Sequence, residues 1–142
     1  MREILFRGKT ESGEWVEGSL VPIKVNCDEK GYEIIDEDGI EYYELDYYNP
    51  SYCSDTVIPE TIGQYTGLRD KNGKKIFEGD IVRGEDYTGK VEYNDAFAKF
   101  YVIYSEFSGN WFDFEGEYGY PVSLDCEVIG NIHDNPRFLE GA

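Results

Sequence analysis

The sequence is short of cations, thiols and imidazoles. Thirteen Lys and Arg stand against 30 Asp and Glu, a net charge of −17. A protein that grips a nucleic-acid backbone needs basic side chains to neutralise phosphates. This balance therefore argues against nucleic acid as a partner and favours attraction to basic partners. Cys27, Cys53 and Cys126 are odd in number, scattered and without a C-x-x-C pair, which points to reduced thiols in a cytosol rather than a secreted disulfide framework. No apolar run approaches a membrane span, and Met1-Arg2-Glu3 leads into Ile4-Leu5-Phe6 rather than a signal h-region. The expectation is a cytoplasmic protein that binds no membrane.

Chemistry is equally thinly provided. His133 is the one histidine, so any triad or Cys-His dyad has to use it. It sits between Ile132 and Asp134 at a strand end, where a hydrogen bond to the following turn is its ordinary role. Cys126, seven residues earlier, falls on the opposite face of a regular strand. Zinc-ligand spacing is absent, and "DEDG" at Asp36–Gly39 is too short for an EF-hand loop. Neither a P-loop nor a dinucleotide fingerprint occurs. Acids are too abundant for any pair to stand out as glycosidase carboxylates. No catalytic residue, metal ligand or cofactor is assigned.

What is present describes an ordered, turn-rich β protein. Aromatics make up 16% of 142 residues, with thirteen Tyr, and there are sixteen Gly; this is too aromatic for disorder and too poor in helical periodicity for a helical fold. The length suits one medium domain or two small ones. "EILFRGK", a turn at Ser12-Gly13 and "WVEGSLV" read as a first hairpin, with Pro22 marking an edge or an end. From Asp28 to Glu60 there are eleven acids and one base, Lys30. This acidic insert, about 26–56, holds a second hairpin turning at Asp38-Gly39 and then the loop "DYYNPSYCSD". A division near residue 60 separates residues 1–60, at −10, from residues 61–142, at −7.

"QYTGLRDKNGKKIFEGDIV", Gln64–Val82, is the most patterned stretch. Asn72-Gly73 predicts a type I′ hairpin turn, since both residues tolerate positive φ. Gly67 belongs to the same pattern, Gly79 supplies a conformation closed to other residues, and Asp80 fixes the turn by accepting backbone N–H groups. Gln64–Arg83 carries five bases and three acids, so Tyr65, Arg69, Lys71, Lys74 and Lys75 form a candidate contact surface. A solvated hairpin tip accounts for the same charges. Further on, both faces of "AFAKFYVIY" are apolar, as in a strand covered on both sides or set at an interface. Trp111, Phe112 and Phe114 lie close together. "CEVIGNIH", with Gly130 and Asn131, is the last strand. Asn135 is a fit N-cap and Pro136 a fit first residue for a closing helical turn.

Three blocks resemble the YopX family of phage and prophage proteins: "REILFRGK" with "GEWVEGSL", then "PETIGQYTGLRDKNGKKIFEGDIV", then "CEVIGNIHDNP". The resemblance implies an SH3-type β-barrel in the C-terminal half and a gene of phage type expressed in a bacterial cytoplasm. It brings no catalytic residue. The functional expectation is a non-enzymatic binding or assembly module that meets a protein partner or its own copies. The alternatives are an acidic mimic that binds a basic host protein, and nucleic-acid contact through the hairpin at residues 69–75.

Overall fold

A computed structural model describes residues 3–24, 30–35, 54–85, 87–104, 111–113 and 125–139. The expected Asp38-Gly39 hairpin, Cys27, Cys53 and Phe114 lie outside the described residues, as do the side chains of Trp111 and Phe112. The fold is all-β, with antiparallel pairing throughout. Its strands are β1 (Phe6–Lys9), β2 (Trp15–Lys24), β3 (Lys30–Ile35), β4 (Ser54–Val57), β5 (Gly63–Arg69), β6 (Lys75–Phe77), β7 (Asp80–Arg83), β8 (Thr88–Asn94), β9 (Lys99–Tyr104), β10 (Trp111–Asp113) and β11 (Glu127–Asn131). Two 3-10 turns, Pro59–Thr61 and Pro136–Leu139, are the only helical pieces among the described residues. The chain divides into two compact units, Met1–Gln64 and Tyr65–Ala142.

In the first unit the strands lie in the order β4-β3-β2-β1, and β1 also pairs with Gly63 and Gln64 at the start of β5. Ile34, Ile35 and Val57 are its buried apolar side chains among the described residues. Gly8 is needed there, because a Cβ at that position would stand 2.8 Å from Val57 Cβ. Pro22 sits inside β2 opposite Tyr32 of β3. β1 accompanies β2 only over Trp15–Gly18, so Pro22 falls where β2 pairs on one side and its missing N–H breaks no ladder. Thr61 ties the 3-10 turn to β1: its Oγ1 donates to the Ile58 carbonyl at 2.6 Å and accepts the Lys9 N–H at 2.8 Å.

The second unit contains the sheet β10-β9-β8-β7-β11 and the hairpin formed by β5 and β6. Ile76, Val82, Val91, Val102, Cys126 and Val128 form its core, with Leu68, Tyr87 and Phe100 packed against them. On β9, the neighbouring Tyr101 and Val102 are both buried. Consecutive strand residues face opposite sides, so this strand is covered on both faces at that point. Among the described residues no pairing joins β10 to β11, and the sheet keeps two ends.

Candidate contact surface

The hairpin between β5 and β6 is built by one side chain. Asp70 Oδ1 accepts the N–H groups of Asn72 and Lys74, both at 2.9 Å, and Asp70 Oδ2 accepts the N–H of Val128 at 2.9 Å. The backbone adds Gly73 N–H to Asp70 C=O at 3.0 Å and Asp70 N–H to Lys74 C=O at 2.8 Å. Gly73 has φ +83°, while Ala98 is the sole non-glycine with positive φ among the described residues. The loop is therefore a type I turn followed by a left-handed glycine, not the type I′ turn that Asn72-Gly73 suggests. The Asp70 carboxylate selects it by gathering both loop N–H groups. Burial pushes its pKa up, but the donors Val128, Lys74 and Asn72, helped by the Lys74 charge, outweigh that and hold the carboxyl below its ordinary value.

The same device recurs among the described residues of the first unit. Thr10 N–H donates to Glu14 C=O at 2.9 Å and Gly13 N–H to Thr10 C=O at 3.0 Å. Gly13 has φ +92°, and Thr10 Oγ1 accepts the Glu14 N–H at 3.2 Å. Thr10-Glu11-Ser12-Gly13 and Asp70-Lys71-Asn72-Gly73 thus share a pattern of short polar residue, any residue, polar residue and Gly. That spacing is readable in the sequence.

The predicted contact residues part company here. Tyr65 is buried, its ring 5.5 Å from that of Phe77, which removes it from the surface. The β5–β6 register shifts between Tyr65 and Arg69, with Gly67 at φ +89°, and Thr66 Oγ1 donates to the Ile76 carbonyl there at 2.8 Å. Arg69 Nη1 donates to the Gly73 carbonyl at 2.8 Å, across its own turn. Lys71 Nζ lies 3.9 Å from Glu127 Oε2, which Arg83 also approaches at 3.4 Å. Lys74 is exposed and Lys75 half-buried. Two of the cations are thus engaged with the protein's own loop and strand. Such exposed pairs stabilise by about 0–1 kcal/mol each, but they occupy charge that a phosphate contact would require.

The remaining motif residues converge on turns. Gly79 has φ +91°; its N–H donates to Val91 C=O at 2.8 Å and its carbonyl accepts Ile132 N–H at 2.9 Å. Buried Asp80 turns its Oδ2 back to the Phe77 N–H at 2.7 Å. After β11, Asn131 Oδ1 accepts the N–H groups of His133 at 3.0 Å and Asp134 at 2.9 Å. Asn135 Oδ1 accepts Asn131 N–H at 3.3 Å, and the Asn135 carbonyl receives Phe138 N–H at 3.0 Å over the Pro136 turn. His133 is therefore part of this turn's backbone frame.

Cys126 is fully buried in the core. Burial, and next the Asp70 charge, push its thiol pKa up, the reverse of what a nucleophile requires. With Cys27 and Cys53 replaced by serine, a thiol reagent is expected to label Cys126 in the folded protein at under about a hundredth of its unfolded rate. Labelling at the unfolded rate in native buffer would contradict this burial. Among the described residues no group of three or more His, Cys, Asp and Glu gathers as a metal site, and no helix is long and apolar enough to cross a membrane.

One surface feature stands apart from the signature motifs. The β8–β9 hairpin carries Tyr93 and Phe97, 41% and 48% exposed. Asn94 Oδ1 holds the turn by accepting the N–H groups of Ala96 at 2.9 Å and Phe97 at 3.1 Å. Tyr93 stacks edge-on to Phe100 at 5.1 Å and Phe97 to Tyr101 at 6.4 Å. An aromatic tip is thus anchored to the buried strand by its own ring contacts.

These features define a small all-β protein of two antiparallel units whose patterned residues build turns; of its three exposed aromatics among the described residues, Tyr93 and Phe97 stand on one hairpin and Phe138 on the closing 3-10 turn. The chain belongs to the YopX protein family, whose model matches residues 5–140. It is similar in structure to the crystal structure of protein EF1440 from Enterococcus faecalis, with 24% identity over 99% of this chain and 100% of that one and a TM-score of 0.51. No curated protein matches it.

Proposed function

We propose that this protein is a non-enzymatic accessory module of phage or prophage type that acts in the bacterial cytoplasm by binding proteins or assembling with its own copies. The observation that carries this reading is the aromatic tip of the β8–β9 hairpin. Large apolar side chains held rigid and outward are what interfaces use as anchors. Membership of the YopX family and the inward, turn-building roles of the polar motif residues support it. The second unit is read as SH3-like: the β5–β6 hairpin reaches β11 through Lys71 N–H to Cys126 C=O at 3.1 Å, a contact of the kind that curls such a sheet toward closure. Sedimentation velocity at micromolar concentration tests the assembly part. Wild type is expected to associate and Phe97→Ser to shift toward monomer; a wild type that stays strictly monomeric removes self-assembly.

The net charge of −17 supports a second reading, an acidic mimic that occupies a basic DNA-binding protein. Binding of a purified protein of that kind should then weaken steeply with salt and on neutralising Glu41, Glu44 and Asp46. Absence of binding at low salt sets that reading aside.

A further inference from the structure

We propose that the turns Asp70–Lys74 and Asn131–Asn135 are two latches on one strand edge, which together close β11 against pairing with β11 of a second copy. β11 is the last strand of its sheet and pairs with β7. A strand in that position presents free N–H and C=O groups along its outer side, a template for another chain.

Two of those groups meet the first latch. The Cys126 carbonyl accepts Lys71 N–H at 3.1 Å, and Val128 N–H donates to Asp70 Oδ2 at 2.9 Å. A parallel strand laid beside β11 would satisfy this same pair with the N–H and C=O of one residue opposite Glu127. Lys71 supplies the N–H, and the carboxylate of Asp70 stands in for the carbonyl. Because the acceptor is a side chain on a closed turn, the ladder ends there and offers nothing to a further strand.

The second latch repeats the logic at the far end. Asn131 N–H donates to Asn135 Oδ1 at 3.3 Å, and the Asn131 carbonyl accepts Asn135 N–H at 2.8 Å. Again one short polar residue supplies a side-chain oxygen and a backbone N–H in place of a strand. Gly130 makes the room, since a Cβ there would lie 2.5 Å from Asn135 Oδ1. The turns at Asp70–Lys74 and Asn131–Asn135, far apart in sequence, therefore act on the same edge. A second copy is the natural competitor, because an edge strand can pair antiparallel with itself about a two-fold axis.

Asp70→Asn opens the first latch selectively. Its Oδ1 still accepts from Asn72 and Lys74, while its Nδ2 opposes the Val128 N–H donor with another donor. The variant is made on a Phe97→Ser background, so that assembly through the aromatic tip does not contribute. In dilute solution Val128 amide exchange is expected to speed up by roughly tenfold or more, as for a lost bond to a charged acceptor. With rising concentration, sedimentation should shift from monomer to dimer and that amide should become protected again. Asn135→Ala should give the same dimer, with protection returning at Asn131. The proposal is overturned if both variants fold and stay monomeric, if they assemble while the Val128 and Asn131 amides stay open, or if Asp70→Asn does not fold. If Asn135→Ala alone fails to fold, Asp70→Asn decides.

Discussion

Asp70→Ala is expected to lose about 3–5 kcal/mol of stability at pH 7, a large share of the roughly 5–15 kcal/mol that domains possess. Three backbone N–H groups lose their acceptor at once. Those of Asn72 and Lys74 lie in an exposed loop, where water replaces part of the bond. The Val128 N–H lies in a buried bond beside the core, so its loss carries the larger desolvation cost. Asp70→Asn should fall between the two, because its amide keeps an oxygen for the loop and fails only at Val128.

The same substitution has a signature in acid. The folded-state pKa of Asp70 lies below its ordinary value, so near that value the unfolded chain binds the proton more readily than the folded one. The stabilisation is complete above the unfolded pKa of about 3.9 and is lost as pH falls through the lower folded value. The gap between wild type and Asp70→Ala should thus be widest at neutral pH and narrow below about pH 4. Urea unfolding at pH 7 and pH 3 measures this. Equal midpoints at pH 7, or a gap that widens in acid, would contradict the assigned role of the carboxylate.

The behaviour of Asp70 also marks how far the sequence could be read. Asn72-Gly73 located the hairpin correctly, because a glycine at positive φ is a local requirement that no tertiary contact is needed to see. The turn type was not legible, since it follows from where the Asp70 oxygens point, and one of them points at Val128. Asp80 was legible as a turn-fixing carboxylate because its acceptor role spans three residues, to Phe77. Tyr65 was misplaced for the opposite reason. Lysines nearby in sequence suggested a surface, whereas the tyrosine pairs with Phe77 of β6 and is buried against its ring, a non-neighbouring contact. The double-sided burial of β9 was signalled by its apolar residues on both faces. The aromatic tip was not separable from that run, because the break at Ala98, with φ +54°, is what detaches Phe97 from the strand. The YopX blocks were recognisable as patterns, but the meeting of the middle and last of them at β11 required the fold.

Gly89→Ala is expected to be the most damaging glycine replacement among Gly73, Gly79 and Gly89, at about 3 kcal/mol or more. Gly89 sits inside β8 with Val82 opposite on β7 and Tyr104 opposite on β9. A Cβ there would stand 2.5 Å from the Ile103 carbonyl oxygen, 2.8 Å from Val102 Cγ1 and 3.0 Å from the Ile103 carbonyl carbon. Two of those atoms are backbone and cannot rotate away, so the β8–β9 spacing must yield, and Val102 is part of the core. Gly73 poses the contrary case: nothing lies within 4 Å of its Cβ position, yet φ is +83°. Alanine there meets only backbone strain, roughly 1–2 kcal/mol. Gly79, also at positive φ, adds to that strain its two backbone bonds, to Val91 and Ile132, and should fall between. Conformational freedom is the reason for glycine in the turns, whereas in β8 the reason is space. A urea series on the three alanine variants separates the two causes, and Gly73→Ala proving costlier than Gly89→Ala would reverse this assignment.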